Sequence, residues 1–255
     1  MYWVERVPYH IKKIYNMKSK KQSQSQSLRN RKDQHKSKND LSKGQESIMI
    51  QSINETLSFL KNKYPKYEFG WEKSMPIHKL YSILTDEYGL DIFLEPVKKS
   101  VSLSPDGGFM YVIINDMKYY ILVGEQKNQG TNDKRLAEGL KKQALGNAAE
   151  RLGKNYNCLD LLFSQENILP FVTFLQGCDF HVSETIGERV VMVFKGLKRN
   201  TINLFKDSFG RAGTYYMRGH KWDEGEYGSS DFTKSEITKV FKKVAEQSLE
   251  YYINK

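Results

Sequence analysis

Two cysteines in 255 residues, Cys158 and Cys178, stand apart with no paired spacing, so the chain carries neither a disulfide framework nor a thiolate zinc motif, and a reducing compartment suits it. Cys178 follows the apolar stretch Phe171 to Leu175 and reads as a buried, inert thiol. Histidine is also sparse. The five, His10, His35, His78, His181 and His220, are scattered, which excludes a recognisable Ser-His-Asp set or a His-based metal cluster. Long apolar runs are missing as well. Met1 to Asn16 contains Trp3, Val7 and Ile11 but no apolar stretch of signal-peptide length, and no segment approaches a membrane span, so the expected location is the cytoplasm.

Acidic residues are scarce at one end only. Residues 1–43 carry twelve Lys/Arg against three Asp/Glu and so hold +9 of the +10 formal net charge, leaving a nearly neutral remainder. A basic, Ser/Gln-rich arm of this kind suits a polyanionic partner, because Lys and Arg beside phosphates release condensed counterions on binding. Nucleic acid is the favoured partner, and Lys18 to Lys43 is expected to be disordered in the free protein. Residues 44–255, in a chain that is 39% apolar, are expected to form a single α/β domain around one core.

What is present in that body is a pair of carboxylates at an informative spacing. Pro105-Asp106 is followed nineteen residues later by Glu125-Gln126-Lys127. Between them Phe109 to Ile114 and Lys118 to Gly124 are apolar and β-rich, and Asn115-Asp116 is a turn pair, which predicts a β-hairpin. With Asn115 and Asp116 as the two loop residues, cross-strand partners have numbers summing to 231, and Asp106 falls opposite Glu125. Alternation puts Lys127 on the face of Glu125 and turns Gln126 away. Two carboxylates a few ångströms apart repel unless a cation sits between them, and an all-oxygen site suits Mg²⁺. Such an ion polarises a phosphodiester and lowers the pKa of a bound water, while Lys127 orients that water or offsets charge on the phosphorane. Gly107 and Gly108 leave the backbone beside Asp106 bare, as close approach to a substrate would require. A strand-end Asp beside a surface Glu/Lys pair is the competing explanation.

Three short motifs in one order decide between them. Pro105-Asp106-Gly107-Gly108, Val123 to Gly130 and Gly146-Asn147-Ala148-Ala149-Glu150-Arg151 resemble the EcoRI-like family of type II restriction endonucleases, with weaker likeness at Gln34-His35-Lys36, Tyr64-Pro65 and Phe171 to Gly177. The resemblance covers roughly residues 30–217; Met17 begins the family-like portion, so residues 1–16 read as an upstream extension. It implies a restriction-endonuclease-like fold and a homodimer that cleaves double-stranded DNA at a palindrome, with a cognate DNA methyltransferase as genetic partner. It also implies that Asp106 and Glu125 bind Mg²⁺, that Lys127 is the catalytic lysine, and that Gly146, Asn147, Ala148, Glu150 and Arg151 read bases in the major groove, from a helix beginning near Ala148 after a short extended stretch. Asn can bond adenine bidentately, Arg donates to purine acceptors, and Ala148 offers a methyl-sized contact. The family pattern has a methionine and two alanines before Gly-Asn-Ala, beside the outer pair of GAATTC, and here Gln143, Ala144 and Leu145 stand there. The resemblance thus implies an AATT core with GAATTC or an altered outer pair. The alternatives are another nuclease with the same PD-(D/E)xK centre acting in DNA repair, or a non-catalytic DNA-binding module.

Elsewhere the pattern predicts helices over Ile48 to Leu60, Met75 to Tyr88, Asp133 to Leu152, Asn157 to Gln165 and Ser235 to Tyr252, with Gly139 and Gly146 suggesting breaks in the third. Asp91 to Val97, Phe171 to Leu175 and Val190 to Phe194 read as strands or extended links, Gly219 to Ser230 as a loop. The sum is a mixed central sheet with helices on both faces, containing a strand–helix–strand crossover. Lys198, Arg199, Lys206, Arg211, Tyr215, Tyr216 and Arg218 are candidate phosphate contacts.

Overall fold

Met49, Ile53 and Leu60 recur at helical spacing and are fully buried, and Tyr64-Pro65 stops the helix they line, α1 (residues 46–63). The computed structural model describes residues 44, 46–82, 85–86, 101–129, 136, 139–141, 147–181, 186–219 and 231–255. Backbone contacts divide the chain after Ser47, and the fold below is that of Ile48–Lys255.

Strand β1 (Glu68–Glu72) follows α1, then β2 (Met75–Pro76), the short helix α2 (Ile77–Ser82), β3 (Ser102–Leu103) and the hairpin β4 (Phe109–Ile114) and β5 (Met117–Asn128). Helix α3 (Asn147–Leu162), β6 (Phe171–Gln176), α4 (Ile186–Val193), β7 (Thr214–Arg218) and α5 (Lys234–Ile253) complete the described elements. One sheet has the order β1-β4-β5-β6-β7, antiparallel from β1 to β5 and parallel from β5 to β7, so it is mixed as expected. β2 and β3 pair separately.

The sheet buries both faces. On one, Met110, Val112, Ile121, Leu122 and Phe174 pack with α1 and with Ile237, Phe241 and Val244 of α5. On the other, Phe109, Val123, Phe171 and Leu175 pack with Leu152, Tyr156 and Leu159 of α3 and Val190 of α4. Burying each such side chain contributes about 1.5–3 kcal/mol, which is what seats α3 against β5 and β6.

Four expectations change. Val190 to Phe194 is not a strand: Ile186, Val190 and Phe194 are buried while Met192 is 76% exposed, a period of four in which tertiary packing outweighs the β-branched composition. The helices expected over Asp133–Leu152 and Asn157–Gln165 are divided differently: Gly139, at φ 69°, Leu140 and Lys141 are not helical, and one helix, α3, runs from Asn147 to Leu162 because Leu152, Tyr156 and Leu159 carry the apolar stripe across Gly153. Met75-Pro76 opens no helix; these residues pair with Ser102–Leu103, and the helix starts at Ile77. β7, in a segment read only as basic and aromatic, is a sheet strand. Asp91 to Val97 and His220 to Ser230 lie outside the described residues.

Candidate active site

The hairpin turns at Asn115 and Asp116, whose φ values of 50° and 61° are the left-handed pair that a two-residue type I′ turn requires. Pairing follows the expected register as far as Tyr111↔Tyr120, then slips by one residue at Met110↔Leu122. Ile121 is the extra residue of a β-bulge, so Ile121 and Leu122 both face the α1/α5 side and Val123 returns to the α3 side. Uninterrupted alternation would have carried Glu125 and Lys127 to the α5 face; the bulge turns them toward α3. The register with partners summing to 231 therefore fails at the end of the hairpin that matters, although Asp106 and Glu125 still meet.

They meet through a turn rather than a ladder pair. Gly108 N–H donates to Pro105 O at 2.9 Å, closing Pro105–Gly108, and Gly107 N–H donates to Gly124 O at 2.9 Å. Trp71 Nε1 of β1 donates to Gly107 O at 2.7 Å. Asp106 N–H donates to Glu125 Oε2 at 3.0 Å, and Gln126 N–H donates to Asp106 Oδ2 at 3.2 Å. The glycines serve the protein itself: a Cβ on Gly107 would stand 3.0 Å from Gly124 Cα, and one on Gly108, at φ +64°, 2.5 Å from Glu72 O. The space expected for a substrate backbone is filled by β1 and β5.

Lys127 Nζ contacts Glu125 Oε1 and lies 3.6 Å from Asp106 Oδ2, so both carboxylates share one cation. Glu125 is 1% exposed at its side chain, Asp106 40%. Burial pushes the Glu125 carboxyl above the usual carboxylate range and the Asp106 charge adds to that, while Lys127 and the Asp106 N–H pull it down. Among the described residues no three His, Cys, Asp or Glu side chains cluster as a metal site. Two carboxylates with opposite access to solvent, one of them destabilised by burial, are a donor set that fits Mg²⁺, which keeps several waters and takes few protein ligands.

Sequence reasoning missed a fourth neighbour. Asn155 Nδ2, on α3, donates to Glu125 Oε1 at 3.1 Å. Its one signal was the four-residue step from Asn147 through Arg151. Asn147 is the first residue of α3, Ala148 is half-buried, and Glu150 and Arg151 are exposed; Gln143, Ala144 and Gly146 lie outside the described residues. The structure thus puts Asn147 to Arg151 at the start of the helix that reaches Glu125.

Most of the later candidate phosphate contacts are otherwise engaged. Lys206 Nζ donates to Phe163 O at 2.7 Å and pairs with Asp160 at 3.3 Å, covering the C-terminal carbonyl end of α3. Arg211 pairs with Asp207, and Arg218 Nη2 with Glu236 Oε1 at 2.8 Å. Tyr215 is buried with its hydroxyl donating to Leu197 O, and Tyr216 stacks on Phe174. Lys198 and Arg199 remain exposed. Cys178 is buried, as expected, and no helix among the described residues is long and apolar enough to cross a membrane.

A mixed sheet, helices on both faces, and a hairpin that brings an Asp, a Glu and a Lys to one point define the restriction-endonuclease-like class of α/β folds. Within that class the chain belongs to the EcoRI family: the family described as restriction endonuclease EcoRI matches residues 33–206. It is similar to the type II restriction enzyme RsrI of Cereibacter sphaeroides, 32% identical over 136 residues that cover 49% of this chain and 48% of that protein. It is also similar to the type II restriction enzyme EcoRI of Escherichia coli, 28% identical over 153 residues, 55% of this chain and 52% of that one. The matches thus span about half the length of these curated relatives.

Proposed function

We propose that this protein is a type II restriction endonuclease, a homodimer that hydrolyses both strands of double-stranded DNA at a short palindrome with an AATT core and leaves 5′-phosphates. The observation that carries the reading is the meeting of Asp106, Glu125 and Lys127 on one point of the sheet, in a chain of the EcoRI family. Asp106 and Glu125 would hold Mg²⁺, which supplies Lewis-acid polarisation of the scissile phosphodiester and a bound water of lowered pKa. Lys127 orients the attacking water and offsets charge developing on the phosphorane. Water oxygen bonds to phosphorus as its proton passes to solvent, the bond to the 3′-oxygen breaks and that oxygen takes a proton from solvent, giving a 5′-phosphate and a 3′-hydroxyl, while Glu125, fixed by the Asp106 N–H, keeps the two carboxylates in register.

Asn147, Ala148, Glu150 and Arg151 are the base-reading group, with Gln143, Ala144 and Gly146 ahead of them. A two-fold protein reading a two-fold site places one centre on each strand, which is the argument for the homodimer, and a host carrying such an enzyme needs a cognate methyltransferase. The test is incubation of mixed-sequence duplex DNA with Mg²⁺ and sequencing of the ends. Discrete fragments with one terminal sequence are expected; random ends point to a repair-type nuclease, and binding without cleavage to a non-catalytic module. Lys127→Ala should abolish cleavage and retain specific duplex binding, and activity within about tenfold of wild type removes it from the centre. Assaying all palindromes of the form NAATTN then reads the outer pair. Cleavage confined to GAATTC makes Gln143 neutral; a different outer pair makes Gln143 the first residue to mutate; sites lacking AATT overturn the base-reading assignment.

A further inference from the structure

We propose that Asn155 is a positioning residue that ties the base-reading end of α3 to the Glu125 carboxylate, so that the catalytic carboxylate is aligned by the helix that meets the DNA. This rests on the nuclease reading of the site. Three donors hold Glu125: the Asp106 N–H on Oε2, and Lys127 Nζ and Asn155 Nδ2 on Oε1. The first two belong to the centre itself. Asn155 is, among the described residues, the donor that reaches Glu125 from another element. The parallel strand on the other side gives nothing: Thr173 pairs with Glu125 in the ladder and is fully buried, yet its hydroxyl has no hydrogen-bond partner.

The helix makes that contact responsive. Arg151 and Asn155 are one step of four apart, and Asn147 one step earlier, so the three positions advance by only about 40° per step along one stripe of α3. Leu152, Tyr156 and Leu159, all buried, seat the helix in the core directly beside that stripe, Leu159 being its next step. A rigid α3 shifted by base contacts at its N-terminal end must carry Asn155 with it, because helices transmit displacement as units. The chemistry of the side chain suits the role. A neutral amide orients a buried carboxylate without adding charge; Asp here would set a third anion against Glu125, and Lys would compete with a bound cation.

Asn155→Ala, Asn155→Asp and Asn155→Gln distinguish this from a merely structural contact. Ala should lower kcat about tenfold or more with KM little changed, and should weaken Ca²⁺ binding, read by titration calorimetry in the presence of duplex, by about tenfold, since outer-shell partners of metal ligands are worth about 10–100-fold. Metal-free binding to the preferred duplex should be unchanged. Asp should be worse than Ala, and Gln should recover part of the loss. At matched occupancy the ratio of cleavage at the preferred site to cleavage at a site with one changed base should fall for Ala. Asn155→Ala that cleaves within about twofold of wild type with unchanged Ca²⁺ affinity overturns the proposal, as does Asp being no worse than Ala. The wild-type protein is the internal control: if it fails to cut any duplex, the nuclease reading falls, whereas a cutting wild type with an indifferent Asn155 defeats this inference alone.

Discussion

Glu125 is the most constrained residue of the site, buried as a carboxylate beside a second one, and its neighbours at Gly124 and Gly107 show how little room the arrangement has. A Cβ added at Gly124 would stand 2.7 Å from Phe241 Cζ, in the fully buried core beneath α5. Gly124→Ala should therefore cost about 1–3 kcal/mol through overpacking and should lower cleavage by displacing Glu125; denaturant unfolding checks the first, and a midpoint equal to wild type means the core yields. Asp106→Ala and Glu125→Ala should be inactive in Mg²⁺ while duplex binding tightens, because a clustered negative charge facing a phosphate is gone. Normal cutting by either variant puts the metal elsewhere. At this scale the sequence spelled out the triad, since two carboxylates and a lysine flanking a hairpin survive as a spacing. The Ile121 bulge did not show: Ile121 and Leu122 are both apolar, so an extra residue leaves the apolar run unbroken. Asn155 stayed hidden because nothing in a lone helical Asn says which strand it will face.

Helices were legible where one apolar stripe ran uninterrupted, as in α5, and illegible where β-branched residues filled a short helix, as in α4. α5 also shows a sequence-encoded start. Thr233 accepts from Glu236 N–H and Glu236 Oε2 accepts from Thr233 N–H at 2.8 Å, a reciprocal capping box, and Arg218 of β7 pairs with the same Glu236. These contacts, led by Arg218, hold the Glu236 carboxyl down at about 2. A depressed folded-state pKa contributes stability that is fully present above the ordinary value of 4.5 and is lost as pH falls toward about 2. Glu236 is 44% exposed at its side chain, so the ion pair's share is discounted for solvent screening. Thr233→Ala should cost about 1 kcal/mol at neutral pH. Glu236→Gln should be destabilised relative to wild type at pH 7, with the gap closing below pH 4.5 and gone near 2. A gap independent of pH means the charge contributes nothing. Lys206 plays the matching part at the end of α3, so Lys206→Met should lower the unfolding temperature rather than flatten the salt dependence of DNA binding.

Across the whole molecule the informative quantity is the distribution of charge, which needs no coordinates to read. Residues 1–43 hold +9, and of the later cations read as candidate phosphate contacts Lys206, Arg211 and Arg218 are paired within the fold while Lys198 and Arg199 stay exposed. The sheet and its helices were predictable as a class because patterning alone sorts strands from helices, whereas the assignment of each cation to phosphate or to protein depends on three-dimensional neighbours. With residues 44–255 nearly neutral and those three cations paired internally, the arm is expected to be the main source of sequence-independent affinity. Deleting residues 1–43 should weaken duplex binding and flatten the plot of log K against log salt by about 0.9 for every phosphate that the arm neutralises. Sequence preference should survive, because the proposed base-reading residues, Gln143 to Arg151, lie outside the arm. The measurement is that slope for both proteins at matched temperature, with the preferred and a scrambled duplex. Equal slopes would mean the arm does not touch DNA; a lost preference at matched occupancy would mean it reads bases, and the division of labour between arm and body would have to be abandoned.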